Sequence, residues 1–167
     1  MPPIASHLAK VPADQLVHIN PDGLYDPAPN GYSHLVVAPL HGRTVYLSGQ
    51  GGESAAGELP AGFAAQLDQA LRNMRTALAA AGATVHDAVR LTLLVVDHTE
   101  ERLTLWTRAA RGVWKDAPTP ACTLIPVPRL ALDGMLVEVE ATAVVTVTAV
   151  TTGTAAMAAT AAATRQN

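Results

Sequence analysis

Near the end of the chain two glutamates, Glu138 and Glu140, interrupt an otherwise apolar alternation, LVEVEATAV. Successive strand side chains point to opposite faces. In a strand here, Val137, Val139, Ala141, Ala143 and Val145 share one face, and Leu136, Glu138, Glu140, Thr142 and Val144 share the other. The first set is what a strand shows to a layer of helices. The second puts carboxylates in the middle of the reverse side, where an acid left buried and unpaired is costly. A cleft relieves that cost, and an acid in a cleft is suited to holding a water and moving protons. Glu138 is the candidate for that chemistry; Glu140, one step along the face, is expected to be structural or solvated.

Cys122 is the other reactive side chain. A nucleophilic cysteine needs a base or a helix N-terminus to lower its pKa. His34 or His41 is a candidate base, set against the commoner role of free cysteine as a small buried apolar residue. The six histidines, His7, His18, His34, His41, His86 and His98, have no paired ligand spacing and no second cysteine to join them, so no metal and no cofactor is expected. The SGQGGESAAG run lacks the GK[ST] of a phosphate loop and reads as a flexible exit from a strand that supplies backbone amides to a cleft. Trp106 and Trp114 fall on an apparent core stripe, where packing is the expectation; Trp106 is also, with His34, a candidate substrate contact.

These residues need elements to position them. The β-rich runs are Leu16 to Asn20, Tyr32 to Ala38, Thr44 to Ser48, Ala88 to Asp97, and two segments within Ala117 to Val145 joined by a short turn at Asp133-Gly134. PLHGR between the second and third runs is a hairpin signal with a longer loop. Phe63 to Ala81 carries Phe63, Leu67, Leu71, Met74 and Leu78 at three- and four-residue steps, with Gln66, Asp68, Arg72, Asn73 and Arg75 off that stripe. Pro60 and Gly82 punctuate this helix, and Thr99 to Trp114 forms a second. The order β-β-β-α-β-α-β-β predicts an α+β layer, a mixed sheet with both helices on one face and the other face bare.

With 167 residues, the length fits one domain: an arm at residues 1–15, a domain at 16–146, and an Ala/Thr-rich tail at 147–167 read as peripheral. Apolar residues make up 49 % and charged ones 15 %, which suggests that other subunits cover part of the surface. A net charge of −3 leaves no basic stripe for nucleic acid. The lone cysteine excludes an internal disulfide and fits a reducing compartment. The N-terminus lacks the pattern of a secretory signal, and no uninterrupted run of about 18 apolar residues suggests a membrane span. A soluble cytoplasmic protein is the expectation.

The ordered set GYSHLVV, TVYLSGQ, the helix ending LAAAGA, HDAVRLTLLVVD, PACTLIPV and LVEVEATAV resembles the YjgF/YER057c/UK114 family, the RidA family of enamine/imine deaminases, over roughly residues 16 to 146. The resemblance implies a chorismate-mutase-like α+β subunit in a homotrimer, with the sheets forming a central β-barrel and clefts between subunits that take a small-molecule substrate. It also implies a cleft lined by a tyrosine, a serine-glycine pair, an arginine and a glutamate. Tyr32, Ser48, Gly49 and Glu138 match; at the arginine's place stands Cys122, or Pro120 with a different gap, and neither register restores a guanidinium. A thiol cannot form the paired charge-assisted bonds with which a guanidinium holds a carboxylate. Arg43, Arg90 and Arg129 are the other arginines weighed as sources of charge, with no spacing that sends them into the cleft. The implied activity is hydrolysis or tautomerisation of a small imine or enamine, with Glu138, Tyr32 and Cys122 as the catalytic candidates. The alternative is a non-catalytic trimer of the same fold that binds a metabolite or a partner.

Overall fold

A computed structural model describes residues 13–146; the expectations for most of the arm and for the tail lie outside the described residues. The elements are β1 (Val17–Ile19), β2 (Leu35–Val37), β3 (Arg43–Gln50), α1 (Phe63–Ala80), β4 (Ala88–Val96), α2 (Glu100–Trp114), β5 (Ala121–Val127) and β6 (Val137–Val145), with short 3-10 turns at Ala28–Asn30 and Val85–Asp87. The expected order of strands and helices is the observed one. Four strands form a mixed sheet in the order β3-β6-β4-β5, with β6 antiparallel to both its neighbours and β4 parallel to β5. β1 and β2 form a separate antiparallel pair.

The period-2 alternation of β6 sorts the layers. Val137, Val139, Ala141 and Ala143 are buried with Leu91, Leu93 and Val95 of β4 in one core, together with Phe63, Leu67, Leu71, Met74 and Leu78 of α1 and Trp106, Ala110 and Trp114 of α2. Each large apolar side chain buried there contributes about 1.5–3 kcal/mol relative to exposure. Both helices therefore lie on one face. The opposite face is open, and there Tyr46 is 82 % exposed and Ile125 42 % exposed.

Helix ends follow local chemistry. Gly82 has φ +69 and, with Ala83, closes α1: its amide donates to the Ala79 carbonyl while the Ala83 amide reaches back to Leu78, the paired pattern of a left-handed C-cap. Thr99 caps α2 by accepting from the Arg102 amide, and Glu100 and Glu101 complement the helix dipole in the first turn.

Three sequence expectations are corrected. β2 and β3 do not form a hairpin: β2 pairs with β1, and β3 joins the main sheet beside β6, so that Val45 and Leu47 pack against the core. Loop chemistry at PLHGR permits a reversal, but burial chose the partner. The two strands within Ala117 to Val145 are not joined by a tight turn either, because β4 lies between β5 and β6 and residues 128–136 cross over it. Gln66 is not a surface residue of α1. It is buried, donating to the carbonyls of Pro60 and Gly134 and accepting from the Leu136 amide, so both ends of its amide stitch the start of α1 to the lead of β6.

Candidate functional site

Glu138 emerges on the open face of the sheet, opposite Leu94 of β4. On its other flank β3 is bulged: Leu47 pairs with Ala141 and Gln50 with Val139, so Ser48 and Gly49 together occupy one residue's worth of register. Bulges of this kind bend a strand and redirect its side chains. Here the bulge brings the Gly49 backbone against Glu138, and a Cβ added at Gly49 would overlap the Glu138 carboxylate and its Cγ. Glycine is thus needed for close approach. The carbonyls that the bulge displaces are occupied, since the Gln50 side-chain amide donates to Ser48 at 3.1 Å and to Gly49 at 3.2 Å. The strand exit beyond is held by Asn73 of α1, whose amide donates to the carbonyls of Gly51 and Glu53.

Glu138 is half-buried, and its pKa lies above the ordinary carboxylate value, first because burial penalises the charge and then because Glu140 and Glu53 repel it. Such a group holds its proton to higher pH than a surface acid and is suited to giving and taking one. Glu53 was not among the residues the sequence singled out; its position in the glycine-rich exit carried no pattern to mark it.

A second cluster lies at the leading edge of β5. A bridge from Ser33 to Ala121 brings the residues before β2 alongside β5. Ser33 is buried, and its hydroxyl donates to the Thr119 carbonyl at 2.6 Å while the His18 ring lies 3.0 Å from the same oxygen. This anchoring sets Tyr32 and His34 on either side. Their rings are edge-to-face at 5.6 Å, and Tyr25 completes a three-ring group at 6.5 Å from Tyr32 and 5.2 Å from His34. The Tyr25 and Tyr32 hydroxyls are hydrogen-bonded to each other, and the His34 Nε2 lies 2.8 Å from the Tyr25 carbonyl. Burial, the Tyr25 bond and neighbouring charge push the Tyr32 phenol up to about 12, so it remains a proton donor at neutral pH. Tyr25 is missing from the sequence expectations because nothing local links it to Tyr32 across the DPAPNG loop.

Cys122 is close enough to Tyr32 for their charges to interact. It pairs in register with Leu91 and packs against the core, so its thiol belongs to the helix side of the sheet. Burial raises that thiol to about 12, which leaves almost no thiolate at neutral pH. His34, considered as its base, is engaged with the tyrosines, so nothing in this arrangement activates the sulfur. Trp106 needs a firmer correction. It is 2 % exposed, inside the core, with its indole nitrogen beneath Gly31. Its role is to support the loop that leads to Tyr32, and it is closed to a substrate.

The expected residues thus form two groups. Glu138, Ser48 and Gly49 lie together on the open face, and Tyr32, His34 and Cys122 lie together at the β5 edge. Because β4 separates β5 from β6 and the two groups belong to different faces, they do not converge within one protomer. The arginines are also placed. Arg43 donates to the Ala81 carbonyl and Arg129 pairs with Asp133. Arg90 shares the open face, opposite Thr142, and with Glu140, Thr92 and Tyr46 lines a hollow of about 320 Å³. Among the described residues no group of three His, Cys, Asp or Glu is arranged to hold a metal ion, and no helix is long and apolar enough to cross a membrane.

Comparison with known proteins adds an independent line. Residues 25–145 match the family model described as endoribonuclease L-PSP. Among solved structures, a protein of unknown function of the conserved Rid protein family, YyfB from Yersinia pestis, is 39 % identical with a TM-score of 0.73, over 78 % of this chain and 98 % of that one. The YjgF gene product of E. coli is 33 % identical with a TM-score of 0.55, over 68 % of this chain and 87 % of its own. RidA from an Antarctic Psychrobacter is 30 % identical with a TM-score of 0.55, over 68 % and 88 %. No curated protein matches the sequence.

Proposed function

The chain belongs to the endoribonuclease L-PSP family, that of the YjgF and RidA proteins, and from that premise we propose that it hydrolyses a small imine or enamine in clefts between the subunits of a homotrimer. The observation that carries the reading is the Glu138 carboxyl lying over the Gly49 bulge, half-buried, with its pKa raised, and open on the face where a neighbouring copy would stand. The copy is part of the proposal: the Tyr32 group of one protomer would face the Glu138 group of the next, completing a cleft that a single protomer leaves divided. In that cleft the Gly49 amide and the Tyr32 hydroxyl orient the substrate. Glu138 takes a proton from water as the oxygen attacks the imine carbon, then returns it to the departing nitrogen. Cys122 keeps the aromatic side neutral and takes no covalent part. The compartment that fits the lone thiol is the cytoplasm.

The family's name also suggests cleavage of RNA. Phosphate binding depends on cations, and the charges that reach Glu138 are those of Glu140 and Glu53, which oppose a polyanion. A non-catalytic trimer is the second reading, favoured by the uncharged Cys122 at the place where the family resemblance implies an anchoring arginine. Ammonia release from freshly generated imines separates the two. Removing a general acid-base group costs on the order of 10²–10⁴ in rate, so Glu138→Ala should fall toward the buffer rate. Wild type and variant both matching buffer would leave only the binding reading. A solution mass near one 17.3 kDa chain in place of three would remove the shared cleft.

A further inference from the structure

The proposed cleft has two walls of different chemistry. One is acidic: Glu138 feels Glu140 from its own strand and Glu53 from the β3 exit. The other is aromatic: the Tyr25, Tyr32 and His34 rings stand edge-to-face with centroids 5.2–6.5 Å apart, and Tyr25 is 60 % exposed. Among the described residues no salt bridge reaches Glu138, Glu140 or Glu53. Arg102 donates to the Val96 carbonyl beside the Phe63 ring, Arg43 caps the end of α1, and Arg129 is paired with Asp133. Arg90 lies opposite Thr142, beyond Glu140 as seen from Glu138. A ligand carboxylate beside Glu138 would meet like charge first, whereas a cation would meet acids on one side and rings on the other.

Building on the hydrolytic reading above, we infer that the substrate is an aromatic iminium ion that carries no carboxylate, its cationic C=N end held at the Glu138 wall and its ring received by Tyr25, Tyr32 and His34. Aromatic rings favour edge-to-face and offset contact with other rings, and the exposed Tyr25 offers such a surface. The reaction is R–CH=NH2⁺ + H2O → R–CHO + NH4⁺. Water oxygen bonds to the imine carbon as the C=N π pair moves to nitrogen. Glu138 accepts the water proton and passes it to that nitrogen, then takes the hydroxyl proton as the carbonyl forms and the C–N bond breaks, and hands it to the departing ammonia as NH4⁺. Such a substrate arises when a primary amine, rather than an amino acid, loses two electrons and two protons, so an amine-oxidising reaction must supply it.

A matched pair tests the assignment. Benzaldimine generated from benzylamine and iminophenylacetate generated from phenylglycine differ only by the carboxylate. Ammonia release above buffer is expected to be at least about tenfold faster from benzaldimine, the equivalent of a factor of ten in transition-state binding. Tyr25→Leu, at an exposed position that leaves folding intact, should raise KM for benzaldimine severalfold with little change in kcat. Faster release from iminophenylacetate would overturn the substrate class and leave hydrolysis standing. If neither imine is turned over, calorimetry decides. Benzylammonium bound by wild type but not by Glu138→Gln, with benzoate unbound by either, keeps the ligand class and removes the hydrolytic reading. No turnover and no benzylammonium binding overturns both.

Discussion

The two groups of site residues sit on one fold but are built by different means. Around Glu138 the structure is regular: a strand inside a four-stranded sheet, one bulge in its neighbour, and a carboxylate whose position follows from alternation. Around Tyr32 it is irregular: a loop, a single bridge to β5, and three rings held by hydrogen bonds to one another and to backbone carbonyls. The first group is charged and sits where water or a second copy can reach it. The second is aromatic, and its most reactive atom, the Cys122 sulfur, is turned toward the core. The contrast separates two ways of perturbing a titratable group. Burial raises both Glu138 and Cys122, but for Glu138 it creates a usable proton, while for Cys122 it removes the nucleophile.

The sharpest break in that comparison would be a reactive Cys122. A shift from 9.0 to about 12 lowers the thiolate fraction at pH 8 on the order of a hundredfold or more. Native protein should therefore be alkylated by iodoacetamide at least that much more slowly than unfolded chain, and comparable rates would restore the sulfur as a nucleophile. Linkage gives the matching stability prediction: the raised thiol costs nothing below pH 9, and stability falls as pH rises from 9.0 toward 12.

Next in size is the Gly49 contact. Gly49→Ala forces a methyl group into the Glu138 side chain, and overpacking of this kind costs about 1–3 kcal/mol. Adding Glu138→Ala should recover most of it, and a coupling of at least about 0.5 kcal/mol in a double-mutant denaturation cycle would show that the two residues touch. Strict additivity would mean that they do not.

Smaller again is the hydroxyl pair. Tyr25→Phe removes one hydrogen bond, worth about 0.5–1.5 kcal/mol net in a typical case and less at so exposed a site. The Tyr32 phenol should then titrate lower, because the Tyr25 bond is one cause of its rise, and ultraviolet titration reads this directly. An unchanged titration would assign the rise to burial and the neighbouring Cys122.

The smallest effect concerns Glu138 itself. Its folded pKa is raised, so the folded state retains a proton that the unfolded chain releases, and ionised Glu138 weakens the fold. Glu138→Gln should raise Tm slightly at neutral pH and show no gain below the ordinary carboxylate value of 4.5. A loss of Tm at pH 7 would mean that the ionised acid has an unrecognised stabilising partner.

Much of the fold was legible because its signals are local. The β6 alternation, the α1 stripe and the Gly82 stop depend on neighbours a few residues away, and the observed elements follow them. The hairpin expected across PLHGR failed because turn residues permit a reversal without choosing a strand's partner. Gln66 was misplaced for a related reason: its helical position is polar by type, and only the arrival of Pro60, Gly134 and Leu136 gives it a buried role. In the site, Glu138 could be anticipated from periodicity, and Ser48, Gly49 and Tyr32 from resemblance. Tyr25 and Glu53 could not, because each becomes relevant through contacts that no spacing rule connects.

By itself the sequence determined which residues form strands and helices and which face of β6 carries acid, since periodicity is set by backbone geometry that every chain shares. Only the tertiary structure decided that β4 stands between β5 and β6, that Cys122 turns inward while Glu138 turns outward, and that Tyr25 joins Tyr32. Those outcomes depend on which distant segments bury apolar area together, and burial is a property of the whole packed chain.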